Sequence, residues 1–134
     1  MKQVSIYVEN QPGRLAEVTK ALADAGVDIQ ALSIADTDTF GILRLIVNDP
    51  ELAERTVINA GFSAKVTEVV AVAVEDRPGG LSDVLTMLSK EGVDVGYMYA
   101  FIGKKEGLAD VILRVKDNRK AKEILSAHGV KLLD

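Results

Sequence analysis

The stretch Gln11-Pro12-Gly13-Arg14-Leu15 separates two segments of different periodicity. Residues 3–9 alternate apolar and polar side chains, which is typical of a half-buried strand, and residues 12–25 carry apolar side chains at helical spacing before Gly26. We expect Pro12 near the first helical position, where its fixed φ and missing N–H group are tolerated. A helix start leaves unpaired N–H groups and the positive end of a dipole. The junction is therefore a candidate self-capping turn or a site for a small anion such as a carboxylate.

The same stretch recurs as Arg77-Pro78-Gly79-Gly80-Leu81, which indicates two copies of one module. Matching residues lie 66 positions apart up to a predicted hairpin and 68 positions apart after it, so the second hairpin loop, residues 103–107, is expected to be about two residues longer. We predict one module in residues 1–68 and a second in residues 69–134. The matched pairs include Val4 and Val70, Val8 and Val74, Pro12 and Pro78, Leu22 and Leu88, Val47 and Val115, Asp49 and Asp117, and Gly61 and Gly129.

The order of predicted elements in each module is β-α-β-β-α-β. The fold class that follows is α+β, with two tandem ferredoxin-like βαββαβ modules whose antiparallel sheets carry helices on one face and which pack side by side. Residues 65–75 contain no Gly, Pro or Ser, so strand four of the first module should run almost directly into strand one of the second. A shared long bent strand and an exchange of edge strands are two arrangements that would cover open sheet edges.

Missing residue types and motifs narrow the possible functions. The chain has no cysteine, which excludes a disulfide, a thiolate nucleophile and a cysteine-based metal site. Neither a Walker motif nor a dinucleotide-binding glycine fingerprint occurs. The single histidine, His128, precedes Gly129 at the end of a predicted helix, where packing or compensation of the helix dipole explains it better than catalysis. We predict a protein that is not an enzyme, with no catalytic residues, no metal and no cofactor.

Charge and patterning also bear on the partners. The net charge of −4 argues against nucleic acid, and the basic residues around the last predicted helix alternate with acidic ones. RNA-binding modules of this fold place aromatic side chains on their central strands, whereas residues 45–47 are Leu-Ile-Val. No apolar run has the character of a signal peptide or a membrane span, so we expect a cytoplasmic protein with no membrane partner.

Residues 9–15, Glu-Asn-Gln-Pro-Gly-Arg-Leu, and residues 75–81, Glu-Asp-Arg-Pro-Gly-Gly-Leu, resemble the start of an ACT domain, the amino-acid-binding regulatory module. The helix that follows and the Gly-Val-Asp sequences at 26–28 and 92–94 extend the resemblance over essentially the whole chain, twice. The resemblance implies a tandem ACT domain protein that stands alone, without an attached catalytic or DNA-binding domain. It also implies a free amino acid as partner, and we expect a homodimer.

In ACT domains that bind amino acids, the ligand lies at an interface between two modules, against the turn before the first helix. The resemblance implies that N–H groups of this turn and its polar residue contact the ligand, while an acidic residue reaches across from the neighbouring module. N–H groups at a helix start suit an α-carboxylate, and a carboxylate suits an α-ammonium group. The candidate ligand residues are Asn10, Gln11, Pro12, Gly13, Arg14 and Leu15 in the first turn, Asp76, Arg77, Pro78, Gly79, Gly80 and Leu81 in the second, and Asp28 and Asp94 across the interface.

Two tyrosines complete the candidate set. Tyr97 and Tyr99 stand at alternate positions of one predicted strand, so their rings share a face. They could form a pocket wall for a ligand side chain, with the phenol groups adding orientation. Packing of this sheet face between modules explains them without a ligand, and it is the explanation that we favour.

Other structural explanations also stand beside the functional ones. Asn10 and Asp76 could have no ligand role and serve simply to form an Asx-turn or to cap the helix. Gly13 and Gly79 could serve close packing of helix and strand. At the level of the whole protein, the alternative to an amino acid sensor is a ligand-free adaptor that assembles with a metabolic enzyme.

The two turns differ at one position, where the first has Arg14 and the second has Gly80. A glycine should make the second turn more open and its N–H groups easier to approach. Arg14 could either cover the first turn or supply a cation to a carboxylate. We therefore predict unequal occupancy, with the turn at Gly79-Gly80 the better carboxylate cradle.

Overall fold

The computed structural model describes residues 1–102 and 106–133. Part of the loop 103–107, and with it the predicted lengthening, lies outside the described residues. The first four strands and two helices, here called module 1, are β1 (Lys2–Glu9), α1 (Arg14–Asp24), β2 (Ile29–Asp36), β3 (Phe40–Val47), α2 (Pro50–Asn59) and β4 (Ser63–Glu68). The remaining elements, module 2, are β5 (Val70–Glu75), α3 (Gly80–Lys90), β6 (Val95–Ala100), β7 (Leu108–Val115), α4 (Asn118–Ala127) and β8 (Lys131–Leu132).

Each module has one four-stranded sheet. The strand orders are β2-β3-β1-β4 and β6-β7-β5-β8, with β1 antiparallel to β3 and β5 antiparallel to β7. The predicted fold class, α+β with two βαββαβ modules, is confirmed. Within the described residues neither a shared strand nor an exchange of edge strands occurs, because β4 and β5 belong to different sheets and each sheet takes its four strands from one module.

The division of the chain follows these sheets. Residues 2–67 form one compact unit, and Met1 together with the residues from Glu68 onward forms the other. Met1 belongs with the second unit because its carbonyl oxygen accepts a 2.8 Å hydrogen bond from the Val69 N–H. Each module is described below by itself.

The cores of the two modules repeat the same pattern. In module 1 the apolar face of α1 buries Val18 and Leu22 against the strand residues Val4, Ile6 and Val8. Each such side chain contributes about 1.5–3 kcal/mol when fully buried. Module 2 repeats this arrangement through Val84 and Leu88 of α3, with Val70, Val72 and Val74 of β5.

The helices differ in how they begin. Asp49 accepts a 3.1 Å hydrogen bond from the Leu52 N–H at the start of α2, and Asp117 accepts a 3.0 Å bond from the Lys120 N–H at the start of α4. These are ordinary side-chain caps. Among the described residues, α1 and α3 have no side-chain cap, and each follows a glycine in the left-handed conformation. The Pro-Gly stretches are thus the helix starts that the protein leaves uncapped.

Candidate functional site

Both Pro-Gly stretches form the same turn. The Arg14 N–H donates to the Gln11 carbonyl over 3.3 Å, and the Gly80 N–H donates to the Arg77 carbonyl over 3.0 Å. Gly13 has φ 88° and ψ −14°, and Gly79 has φ 86° and ψ −10°. Proline at the second place and a glycine of positive φ at the third define a type II turn.

This geometry corrects the expected place of the proline. Pro12 is the corner of the turn, and the helix begins two residues later, at Arg14. Gly13 is required at the third turn position because side chains with a Cβ rarely adopt a positive φ.

Within the described residues, the starts of α1 and α3 present backbone donors that no side chain caps. The first N–H groups bonded inside the helices belong to Glu17, which donates to the Gly13 carbonyl, and Asp83, which donates to the Gly79 carbonyl, both over 2.9 Å. The N–H groups of residues 15–16 and 81–82 precede them and receive no side-chain cap. Together with the helix dipole, these donors can hold a carboxylate.

The polar residues before the turns do not cap the helices. The Asn10 Nδ2 donates to the Thr37 carbonyl over 2.7 Å, and its N–H donates to the Thr39 carbonyl over 3.2 Å. Asn10 therefore ties the turn to the β2–β3 hairpin. The Asp76 N–H makes the corresponding 3.1 Å bond to the Gly107 carbonyl. Capping of the helix by Asn10, one of the structural explanations, is wrong.

An arginine lies beside each turn, but it comes from different positions. In module 1 the Arg14 guanidinium is 2.8 Å from the Glu17 carboxylate, 3.9 Å from Glu9, and stacked 4.4 Å from the ring centre of Phe62. The side chain is 25% exposed. A guanidinium over an aromatic face is a favourable cation–π arrangement.

In module 2 the arginine precedes the proline. Arg77 donates through Nε to Glu75, through Nη2 to Asp83 over 2.8 Å, and through Nη1 to the Pro78 carbonyl over 3.1 Å. The hydrogen bond to Glu75 is the largest cause, and the hydrogen bond to Asp83 the next, that raises the pKa of Arg77 above its usual value. Glu75 and Asp83 match Glu9 and Glu17, so both modules neutralise the same pair of carboxylates. The 66-residue repeat of the acidic residues is visible in the sequence, but Arg77 lies three positions before Gly80, the residue that matches Arg14. The shared pairing was therefore not predicted.

The expectation that Gly80 opens the second turn is wrong, because there is no open space around this glycine. Gly80 is buried, and a Cβ added there would lie 2.0 Å from the carbonyl oxygen of Glu75. The space that a side chain would need is taken by the end of β5. Gly80 is therefore a close-packing residue, whereas the matching position in module 1 accepts the long side chain of Arg14.

A cavity of about 330 Å³ lies within module 2. It is bounded by the end of β5, the first turns of α3 and the residues that follow α4. Its lining combines charged groups with apolar ones, among them Arg77, Asp83, Met87, Leu108, His128 and Val130. Sequence reasoning missed this site, because its walls come from residues 73–87, residue 108 and residues 128–131, which only the fold brings together.

The matching positions of module 1 hold larger side chains at two places. Phe62 takes the place of Val130 and Arg14 the place of Gly80, and the guanidinium of Arg14 lies over the Phe62 ring. His128 also departs from its counterpart, Ala60. Its Nδ1 lies 2.8 Å from the Ile124 carbonyl at the end of α4 and donates to it, as expected for a helix-terminal residue.

The remaining candidate residues lie away from the turn of their own module. Asp28 follows α1, and its N–H donates to the Asn48 side chain over 2.9 Å. A helix of 11 residues, about 16 Å long, separates it from residues 10–13. Asp94 has the same place after α3. Their role across an interface stays a prediction.

The tyrosines lie on β6. Tyr97 pairs with Arg114 and Tyr99 with Ile112, while Met98 between them pairs with the core residue Leu113. The two rings therefore share the sheet face opposite the helices, as the alternation predicts. Neither lines the cavity beside Arg77.

Two kinds of feature are absent from the described residues. Across residues 1–102 and 106–133, no group of three or more His, Asp or Glu side chains is placed to hold a metal ion. Each helix in the same ranges falls short of the length and apolar character that a membrane crossing requires.

Two βαββαβ modules, each with an uncapped Pro-Gly helix start, define the chain as a tandem pair of small α+β domains. The model of the ACT domain pair matches residues 1–134, and the chain therefore belongs to that family. The resemblance seen in the two turns is thereby confirmed. Among curated protein sequences, none matches the chain significantly.

Solved structures agree with the family. Protein BT0572 from Bacteroides thetaiotaomicron is 41% identical, with a TM-score of 0.92 over 98% of this chain and 90% of that one. The ligand-free regulatory subunit of aspartate kinase from Thermus thermophilus is 16% identical, with a TM-score of 0.69 over 94% of this chain and 91% of that one. The corresponding subunit from Thermus flavus is 15% identical, with a TM-score of 0.65 over 94% and 90%. The last two show a shared fold.

Proposed function

We propose that this chain is a cytoplasmic, non-catalytic regulatory protein that binds a free amino acid. The observation that carries the proposal is the pair of helix starts without side-chain caps, each preceded by a type II turn and flanked by an arginine and two carboxylates. ACT domains as a family bind small molecules such as amino acids. The fold shared with regulatory subunits of aspartate kinase is consistent with a regulatory role.

The chemistry of an amino acid matches these groups. Its α-carboxylate can accept hydrogen bonds from the N–H groups of residues 15–16 or 81–82, at the positive end of the helix dipole. Its α-ammonium group needs a carboxylate, and Asp28 and Asp94 remain the proposed partners from a neighbouring module. We keep the module bounds 1–68 and 69–134 and the homodimer as parts of this proposal.

The test is a titration of the purified chain with each of the twenty common amino acids while thermal unfolding is followed. A ligand at about one hundred times its Kd stabilises the folded state by roughly 2.7 kcal/mol, which is easily measured as a rise in Tm. We expect one amino acid, or a chemically related group, to raise the Tm. If none of the twenty does so, and equilibrium dialysis shows no binding, the proposed sensing function is wrong.

One observation favours the alternative of a ligand-free adaptor. Leu32 and Ile34 on the edge strand β2 pair with the core residues Leu45 and Leu43, yet they are 45% and 48% exposed. Apolar side chains at an open sheet edge suit a protein partner such as a metabolic enzyme. Stoichiometric co-purification with an enzyme that is lost in the double variant Leu32→Ser and Ile34→Ser, and is indifferent to added amino acids, would favour the adaptor.

A further inference from the structure

The outward faces of α2 and α4 are exposed and hold opposite charges at matching positions. On α2, the exposed residues of one helix face form an outer stripe, which consists of Glu51, Arg55, Ile58 and Asn59. The matching outer stripe of α4, 68 positions later, consists of Arg119, Glu123, Ser126 and Ala127. The negative charge comes first on α2 and second on α4. The two modules therefore have the two charges at the same places but with opposite signs.

The charged side chains of both stripes are accessible to a partner. The side chain of Glu51 is 56% exposed, that of Arg119 is 88% exposed and that of Glu123 is 64% exposed. Glu51 bonds Lys2 of β1 over 2.6 Å, and Arg119 bonds Glu123 over 3.0 Å. Exposed ion pairs of this kind contribute little to stability. A second charged group that binds these side chains therefore does not have to replace a strong interaction.

The order of the charges selects one direction for α2 beside α4 of a second copy. In a parallel placement Glu51 meets Arg119. Arg55 then meets Glu123, so both contacts join opposite charges. In an antiparallel placement Glu51 meets Glu123 instead, and both contacts join like charges. Because like charges across an interface are strongly unfavourable, the charges allow the parallel placement.

The remaining residues of the two stripes fit the same placement. Ile58 is 49% exposed, although it is a large apolar residue. In the parallel placement it lies against Ser126 and Ala127, whose small side chains leave room for it. The contact would remove the isoleucine side chain from water and add an apolar contribution to the charged one.

Contacts between like helices fit less well. An antiparallel contact of α2 with α2 that joins Glu51 of each copy to Arg55 of the other is centred on residue 53. Ile58 then lies opposite residue 48, which precedes the helix, and it stays uncovered. A contact of α4 with α4 has no large apolar side chain in its stripe. The two stripes are thus complementary to each other more than to themselves.

A groove beside the start of α4 can receive the charged side chains of α2. Its volume is about 340 Å³, and it is lined by Asp117, Arg119, Lys120 and Glu123. Both charged residues of the α4 stripe therefore belong to the groove. A long exposed side chain such as that of Arg55 can extend into it and keep its charged end beside the carboxylates.

We propose that this chain forms a homodimer in which the outer stripe of α2 of one copy packs parallel to the outer stripe of α4 of the other. In a dimer with two-fold symmetry the contact occurs twice, because α4 of the first copy then meets α2 of the second. A second copy is the partner that the charges indicate, since each stripe has its complement in the same sequence. The inference rests on the homodimer of the proposed function and names the surface that forms it.

The experiment is sedimentation velocity of the full chain over a concentration series. Two variants exchange the charges within one stripe: Glu51→Arg with Arg55→Glu on α2, and Arg119→Glu with Glu123→Arg on α4. Each variant keeps the net charge and an oppositely charged pair on its helix, but it places like charges in both contacts of the dimer. Each alone should therefore dimerise about tenfold more weakly than the unaltered chain, or not at all.

Mixing the two variants tests the pairing directly. In a heterodimer the exchanged α2 of one variant meets the exchanged α4 of the other, and the two unaltered stripes also meet. Opposite charges then face each other in both contacts, so an equimolar mixture should associate as tightly as the unaltered chain. A variant that had lost its fold could not be rescued in this way.

Lys20→Asp with Asp24→Lys is the matched control. It exchanges the charges of an exposed pair of the same spacing on α1, outside both stripes, and should leave the dimer unchanged. Circular dichroism melts verify the fold of each variant.

The outcomes separate this inference from the proposed function. If the unaltered chain stays a monomer over the series, the homodimer and this inference fail, whereas the titration with amino acids still decides the sensing function. If the chain dimerises but the variants dimerise equally well, or their mixture does not associate, the contact between α2 and α4 is wrong. Weaker dimerisation of the α1 control alone would place the dimer surface on α1 and would also overturn the inference.

Discussion

Modules 1 and 2 neutralise the same two carboxylates with arginines from different positions. Arg14 is the last residue of the turn in module 1 and lies over Phe62, whereas Arg77 is the first residue of the turn in module 2 and lines the cavity there. The backbone of the turn is the same in both, down to the left-handed glycine. The comparison teaches that the turn and the acids belong to the shared fold, while the arginine that neutralises the acids comes from a different position in each module.

The largest effect is expected from removing the ring that fills module 1. Phe62→Ala should destabilise the protein by about 3–5 kcal/mol, because it removes a buried aromatic side chain and leaves a cavity. Val130→Ala, at the matching position of module 2, should cost much less, since Val130 is smaller and half-buried beside an existing cavity. Urea unfolding measures both. Equal losses would show that the two spaces do not differ in packing.

The next largest loss of stability is expected at Gly80, whose matching residue in module 1 is Arg14. Gly80→Ala forces a Cβ against the Glu75 carbonyl, 2.0 Å away, and overpacking of this kind costs about 1–3 kcal/mol. Arg14→Ala tests the same position in module 1, where a Cβ is already present, and should cost only about 1 kcal/mol through the lost cation–π contact. The midpoints of urea unfolding show which of the two variants is less stable. A harmless Gly80→Ala would contradict the close approach of α3 to β5.

A third prediction tests what the modules share. Gly13 and Gly79 have φ of 88° and 86°, so alanine at either position should cost about 1–2 kcal/mol through backbone strain. Because no neighbouring atom other than Arg77 Nη1 lies within 4 Å of the added Cβ, the two losses should be nearly equal. Thermal unfolding of the two variants checks this. A difference of several degrees would mean that the turns are not equivalent in the folded protein.

The smallest effect on stability is expected from the ion pair between Lys2 of β1 and Glu51 of α2 in module 1. Lys2 Nζ lies 2.6 Å from the Glu51 carboxylate, and this hydrogen bond lowers the pKa of Glu51 below 4.5. The pair therefore stabilises the folded state above pH 4.5 and loses its effect as the pH falls through the lowered pKa. Glu51→Gln should lower the Tm slightly at pH 7 and not at pH 3.

Module 2 offers the contrast for this pair. The matching positions hold Glu68 and Arg119, with the charges exchanged, and Arg119 bonds Glu123 instead. Glu54→Gln makes the same change on α2, where Glu54 has no ion pair among the described residues, so it is the control and should not reproduce the pH-dependent difference. A Glu51→Gln effect of the same size at pH 3 and pH 7 would rule out ionisation as its cause.

Much of the fold could be predicted because the repeat supplies each pattern twice. The matches at 66 and 68 positions predicted two modules with the same order of elements. Gly26 marks the end of the first helix in module 1, and Gly92 marks the corresponding end in module 2. The place of Pro12 was wrong by two residues, since apolar periodicity does not distinguish a turn from a first helical turn. Arg77 was among the candidates, but its pairing with Glu75 and Asp83 was not foreseen.

The chain's sequence alone determined the Pro-Gly turn, because proline fixes φ at one corner and only glycine readily adopts the positive φ at the next. Tertiary structure decided what that turn adjoins. Gly80 reads as an open position in the sequence, yet the end of β5 approaches it so closely that a side chain would not fit. The cavity in module 2 and the Arg14–Phe62 contact in module 1 depend on residues distant in the chain, and only folding brings Val130 and Phe62 to their turns.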